Sequence, residues 1–401
     1  MDAVRMEGQT LDRRLDPLPY QRGVVDYLKQ HEPDVWAWAS SQKARDEHLA
    51  QVRAQLLRGT YRLEVDAHPE VHGLLALAME RLGIRAPAML YQAGGQIMNA
   101  VLVHVPGEVH IVLEGPLLER LSEDERLALF GHELAHYLLW SQDQGEFLVA
   151  DRILQDAVSS TSATESHRET ARCYGLHTEL FADRGAALAA QALAPAVSVL
   201  VKVQTGIADP DPAAYLRQAL EVEAASAAGS QGTTHPETFL RARALELWWQ
   251  GAAELDAWTD RRLRGPLSLA TLDLLRQTQL QAMTRGFLTW FLDGQPWNSA
   301  PMCNQVRQLF ADWAEGEPAT PPESFTALQV ADDVRAYLSA LMLDLALVDP
   351  EVRDVALERA LVTAGVLDCE EALLVQLKRD AGMGKREIDR LRRRVKQELP
   401  A

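Results

Sequence analysis

Cysteine is scarce in this chain. Its 401 residues contain three, Cys173, Cys303 and Cys369, with no CxxC pair among them. That spacing offers neither a disulfide framework nor a thiolate zinc site, and it fits a reducing compartment. Positive charge is also short. The formal net charge of -17 disfavours nucleic-acid binding, because phosphate contacts need a basic surface, and it disfavours broad adhesion to anionic lipid. Long apolar runs are missing too. "AALAAQALAPAVSVLVKV" (Ala186 to Val203) comes closest, but it is rich in alanine and interrupted by Pro195, so no membrane span is expected. The opening "MDAVRMEGQTLDRRLDPLPYQ" lacks the apolar core of a secretion signal. These absences together predict a cytoplasmic protein.

A hydrophobic fraction of 47% is enough for a sizeable core, and the length predicts two or three domains. Helical patterning runs from about Tyr20 to Leu57 and again over "VHGLLALAMERLGI" (Val71 to Ile84), which Gly83 ends. The period then changes. "AMLYQA", "AVLVHV" and "EVHIVL" are short β-rich runs separated by Gly94-Gly95 and Pro106-Gly107, and the last two read as a hairpin. "LSEDERLALFGHELAHYLLW" follows, with Ser122 and Glu125 spaced as a capping box at a helix start. After the polar loop "SSTSATES", a second strong helix is expected from near Cys173, "CYGLHTELFADRGAALAAQALA". "AASAAGSQGTTHPE" is a loop by composition, and mobility is expected there. From Arg241 onward nearly everything reads as helical, with "EGEPATPPES" the best linker. The expected fold is mainly α with a small β-sheet (α+β). Its regions are an N-terminal helical region (1–60), a β-containing domain (61–260) and a C-terminal helical domain (261–401), with an internal linker near 315–325.

The chemistry concentrates in "LALFGHELAHYLLW" (Leu127 to Trp140), an apolar helical segment that carries His132, Glu133 and His136 along its middle. Burying such groups costs free energy unless something compensates, and a metal ion would. Histidines four apart lie one turn apart on one helix face, so both can reach one cation, and neutral imidazole suits zinc. Glu133 is angled away from that pair, within reach of a water on the metal, as the candidate general base of an H-E-x-x-H arrangement. Chance core histidines are the competing explanation, and the apolar helix just after a β region weighs against it.

Catalytic zinc usually has three protein ligands, so a third must come from another element. "ELFAD" (Glu179 to Asp183) lies in the second apolar helix, flanked by small residues that permit close packing. Glu179 is the expected third ligand. Asp183, on the same face, would hold a ligand histidine through its other ring nitrogen. An acidic helical pair is more often a solvated face, but Leu180, Phe181, Ala182 and Ala186 argue otherwise here. His177 is the rival ligand, although it projects roughly opposite Glu179.

HELAH followed by ELFAD resembles the gluzincin metallopeptidases of the CAAX prenyl-protease and HtpX type, which share HExxH and ExxAD. Three further segments carry the resemblance, which covers roughly Val71 to Leu247: the strand pair and helix start in "NAVLVHVPGEVHIVLEGPLLERLSEDER", the Asn99-Ala100 pair, and "THPETFLRARAL" with His235, Pro236 and Arg241. Four ordered motifs are far more specific than one. Departures are Ala135 inside HExxH, where glycine is frequent, and Pro116, where leucine is commoner. The membrane helices of the family's best-known members are missing, which argues against prenylated membrane substrates.

The resemblance implies a zincin-type peptidase domain binding one zinc per chain and acting on protein or peptide substrates. It implies that Glu133 takes a proton from the attacking water, and that an extended substrate pairs with the strand at Asn99, Ala100 and Val101. His235 would donate a hydrogen bond to the oxyanion, or swing onto the metal's open position and hold the enzyme latent until a partner or stress signal releases it. Arg241 would anchor its helix by an ion pair near the site.

The tail from Ala331 reads as a helical bundle whose helix–"DPEV"–helix layout faintly resembles TerB-like domains, and a regulatory protein partner is expected to act through it. Its basic run "KREIDRLRRRVK" is read as the solvated face of a terminal helix. Two function classes follow: an active zinc metalloendopeptidase, and a catalytically silent zinc-binding scaffold acting through the C-terminal domain. Retention of Glu133 favours the enzyme, because structural zinc needs no general base.

Overall fold

The computed structural model describes residues 14–41, 43–161, 163–226 and 228–398. The first thirteen residues, on which much of the leader reading rests, lie outside them. The chain divides into two compact units, Met1–Gly265 and Pro266–Ala401. No helix among the described residues is long and apolar enough to cross a membrane.

The first unit begins with α1 (Pro19–His31), α2 (Pro33–Ser40) and α3 (Lys43–Gly59). A four-stranded sheet follows, made of β1 (Tyr61–Leu63), β2 (Ala88–Ala93), β3 (Asn99–Val105) and β4 (Glu108–Glu114), with α4 (Pro69–Arg81) between β1 and β2. The strand order is β1-β2-β4-β3. β2 runs parallel to β4, while β3 and β4 form the antiparallel hairpin expected across Pro106-Gly107. Successive side chains on a strand point to opposite faces. Val109, Ile111 and Leu113 therefore enter one core with Leu75 and Ala78 of α4, while Val112 and Tyr91 meet Leu56 of α3 on the other face. β3 is an edge strand.

Its free edge has a definite register. A two-residue hairpin loop makes its flanking pair, Val105 and Glu108, the first hydrogen-bonded pair, and bonded pairs then recur at every second residue. The backbones of Val105, Val103, Val101 and Asn99 thus bond β4, and those of His104, Leu102 and Ala100 turn to the free edge.

The remaining helices of this unit are α5 (Leu117–Arg120), α6 (Glu123–Ser141), α7 (Glu146–Ser159), α8 (Glu165–Ala190), α9 (Leu193–Thr205), α10 (Pro212–Ala225), α11 (Thr238–Gln250) and α12 (Leu255–Arg264). α8 starts eight residues before the expected Cys173. Thr164 caps it by accepting from the His167 N–H, so the polar stretch that reads as loop ends in the helix's cap and its first two residues, Glu165 and Ser166.

The second unit contains α13 (Leu274–Phe291), α14 (Ala300–Leu309), α15 (Asp332–Val348), α16 (Arg353–Val366), α17 (Glu370–Arg379) and α18 (Lys385–Glu398). Phe287, Phe291 and Met302 share one core with Leu338, Leu361, Leu377 and Leu391. The segment near 315–325, where composition places a linker, is fastened into this unit by the Thr320 N–H to Gly286 carbonyl bond and by the Arg285–Glu317 ion pair.

Candidate metal centre

The site is made by the crossing of α6 and α8. The Ser122–Glu125 capping box starts α6 as its spacing predicts. Glu125 is also buried, and accepts from Lys202 Nζ (2.7 Å) and Ser198 Oγ (2.6 Å) of α9. At the crossing, backbone meets backbone. A Cβ added to Gly131 would lie 2.5 Å from the Gly185 carbonyl oxygen, and one on Gly185 would lie 2.4 Å from the Ala135 Cβ. Only small residues at these positions let the helix axes approach so closely. Ala135, where the resembled family often has glycine, packs into this contact.

Close approach brings the donor groups of three residues together. His132 Nε2 lies 3.3 Å from His136 Nε2 and 3.5 Å from Glu179 Oε2, and His136 Nε2 lies 3.8 Å from Glu179 Oε1. Among the described residues, these three are the group of histidine, cysteine and acidic side chains that could hold a metal ion. The spacings suit zinc: tetrahedral ligands about 2.05 Å from the ion stand about 3.3 Å from each other. Glu179 Oε2 is buried with no well-formed hydrogen bond, held only by the Arg241 guanidinium at 3.2 Å and the His132 imidazole at 3.5 Å, so it keeps capacity to face a further cation. Asp183 Oδ1 sits 3.2 Å from His132 Nδ1, which leaves Nε2 turned toward the other donors. With neutral imidazoles, Glu133, Glu179 and Asp183 against the single cation Arg241 leave two negative charges, matching a divalent ion. The residues present fit zinc.

The metal-free electrostatics describe the same demand for positive charge. Burial opposes protonation of His132, but Asp183 and Glu179 outweigh it and push the imidazole up to about 10. Burial raises the Glu179 carboxyl, but Arg241 and His132 outweigh that and hold it well below the usual carboxylate range. His136 is pushed down to about 4 by burial and by the neighbouring His132 cation. Glu133 is raised to about 6, chiefly by burial, and its carboxylate accepts from the Leu102 N–H at the free edge of β3.

Arg241 of α11 donates two hydrogen bonds to Asp183 (2.9 and 2.7 Å) and lies 3.2 Å from Glu179 Oε2. His235 Nε2 lies 3.6 Å from Glu179 Oε2, and its Nδ1 meets Thr234 Oγ1 at 3.0 Å. His235 is not one of the three clustered donors. Asn99, Ala100 and Val101 lie on the edge strand, with Asn99 Nδ2 donating to Glu114. The rival ligand His177 is elsewhere: it stacks on Tyr20 of α1 with ring centroids 4.3 Å apart and donates from Nδ1 to the Cys173 carbonyl.

The segment that delivers His235 is tied by hydrogen bonds. Ser230 Oγ (2.7 Å) and the Gln231 N–H (2.8 Å) donate to the Glu237 carboxylate, and the Gly232 N–H donates to Ser230 Oγ. Arg172 of α8 donates to the Gly232 carbonyl at 3.0 Å. Composition predicts a mobile loop, whereas the structure closes it. No local motif announces these bonds, because Arg172 lies about sixty residues away.

Residues 67–249 match the family model described as Peptidase family M48. Over 198 residues the chain is 32% identical to the plastoglobule-localized metallopeptidase 48, chloroplastic, of Arabidopsis thaliana, a match covering 45% of this chain. The chain covers 56% of that relative's length. No solved structure matches. The residues that build the His132–His136–Glu179 cluster thus all lie within the stretch, 67–249, that is similar to Peptidase family M48.

Proposed function

We propose that the chain is a zinc-dependent endopeptidase in which His132, His136 and Glu179 hold one zinc ion and Glu133 moves the proton. The observation that carries this reading is the convergence of the two histidine Nε2 atoms, 3.3 Å apart, on the Glu179 carboxylate, whose oxygens lie 3.5 Å from His132 and 3.8 Å from His136. The chemistry a bound zinc supplies is acidification of a water and polarisation of the scissile carbonyl. Glu133 takes the proton of the attacking water and returns it to the leaving amine. His235 donates from Nε2 to the carbonyl oxygen as negative charge develops there. Its place outside the donor group supports this role over a resting pose on the metal. Arg241 and Asp183 hold Glu179 and His132 in orientation.

The substrate is an extended protein segment that adds to the free edge of β3, where Ala100 presents its backbone N–H and C=O. The Leu102 N–H already serves Glu133, so the general base sits beside the strand that positions the peptide.

A peptide-library cleavage assay on wild type and Glu133→Gln tests the reading. The variant should keep its zinc and lose about 10²–10⁴-fold in rate, the usual share of general acid–base catalysis. Wild-type rates in Glu133→Gln would remove Glu133 as the base. A zinc-loaded wild type that cleaves nothing would favour the silent scaffold.

A further inference from the structure

Along α8, Arg172, Glu179 and Asp183 follow each other at spacings of seven and four residues, and so lie in one line on one helix face. The last two serve the metal cluster. Arg172 stands two turns earlier, half-buried, and is gripped by both Glu169 oxygens (2.9 and 2.6 Å). With its own direction fixed, its guanidinium reaches the carbonyls of Gly232 (3.0 Å) and Ser230 (3.5 Å). These belong to the turn that closes on Glu237 and contains His235. A Cβ on Gly232 would stand 2.0 Å from the His235 carbonyl oxygen, so the two halves of the turn touch through backbone. Ser230 ties the same turn to α12 through the Arg262 carbonyl (2.7 Å).

We propose that Arg172 and Glu237 are positioning residues for His235: they fix its turn to the helix that carries Glu179, so that the imidazole reaches the reacting carbonyl from a preset place. The inference rests on the catalytic reading of His235 given above. The physical reason is preorganisation. A histidine whose side chain is 58% exposed has little packing of its own to hold it, and a hydrogen-bond donor stabilises developing charge best when it does not have to be ordered during the reaction. Arg172 suits this task because a planar guanidinium can keep both bonds to Glu169 while its outer nitrogen serves a carbonyl; a lysine ammonium cannot do both.

The test combines amide hydrogen exchange of the metal-free protein with peptidase kinetics of the zinc-loaded protein, on Arg172→Gln, Arg172→Lys, Glu237→Gln and His235→Ala. Exchange of the Gln231 and Gly232 amides should accelerate about tenfold or more in Arg172→Gln and Glu237→Gln, less in Arg172→Lys, and not at all in His235→Ala, as expected of local opening. In kinetics, Arg172→Gln should lower kcat by about tenfold to a hundredfold with KM little changed. In a His235→Ala background the same substitution should cost less than about twofold, because residues acting through one group are not additive. Unchanged exchange in both Arg172→Gln and Glu237→Gln, or full multiplication of the two kinetic losses, would overturn the proposal. A chain that hydrolyses no peptide would remove the peptidase reading, while the exchange data would still decide whether Arg172 holds the turn.

Discussion

At the scale of single residues, the site is a set of charges that can be buried only because each has a partner. Glu125 shows the rule outside the metal cluster. Burial raises its carboxyl, but Lys202, Ser198 and the Ser122 N–H outweigh burial and depress it below the usual carboxylate value. A carboxyl depressed on folding contributes stability above its unfolded pKa, and that contribution is lost as pH falls through the folded value. Glu125→Gln should therefore flatten the acid limb of the stability curve below about pH 4.5. At neutral pH the same variant should cost about 3–5 kcal/mol, because it leaves Lys202 buried without its counter-charge. Urea unfolding at several pH values checks both statements; an acid limb unchanged in the variant contradicts them. His177 makes the complementary point. Its spacing alone left it a rival ligand, and the structure shows a core histidine stacked on Tyr20 from a distant helix, a contact no local pattern encodes.

At the scale of elements, the crossing of α6 and α8 turns two helical spacings into one site. The expected outcome of Gly185→Ala is a loss of about 1–3 kcal/mol, as in other overpacked interiors, with weaker zinc binding because the helices must separate. Gly175→Ala on the same helix is the control. Nothing lies within 4 Å of a Cβ there, so it should stabilise by about 0.5–1 kcal/mol through helix propensity. Thermal melts and zinc titrations read both; equal effects from the two substitutions would contradict the crossing. Elements governed by short-range spacing were legible beforehand: the strand runs of β2 to β4, the Pro106-Gly107 hairpin and the Ser122–Glu125 cap all follow from neighbours a few residues apart. The start of α8 was not, since a Thr164 cap inside a serine- and threonine-rich stretch looks like loop. The closed turn around His235 was not, since its bonds to Arg172 connect residues about sixty apart in sequence.

At the scale of the whole chain, each unit has its own core, one drawn from residues between Leu63 and Leu245 and the other from Leu267 to Val395. Every group of the candidate site lies in the first. A chain ending at Gly265 should therefore fold and bind zinc with the affinity of the full protein, as isothermal titration would show; a folded but zinc-free truncation would place part of the site in the second unit. The most direct measurement is the zinc content of purified wild type and Glu179→Ala by elemental analysis, with circular dichroism confirming the fold of both. About one zinc per wild-type chain and a near-complete loss in the variant are expected, as three protein ligands require. A folded Glu179→Ala protein that retains its full zinc would contradict the assignment of His132, His136 and Glu179 as the metal centre.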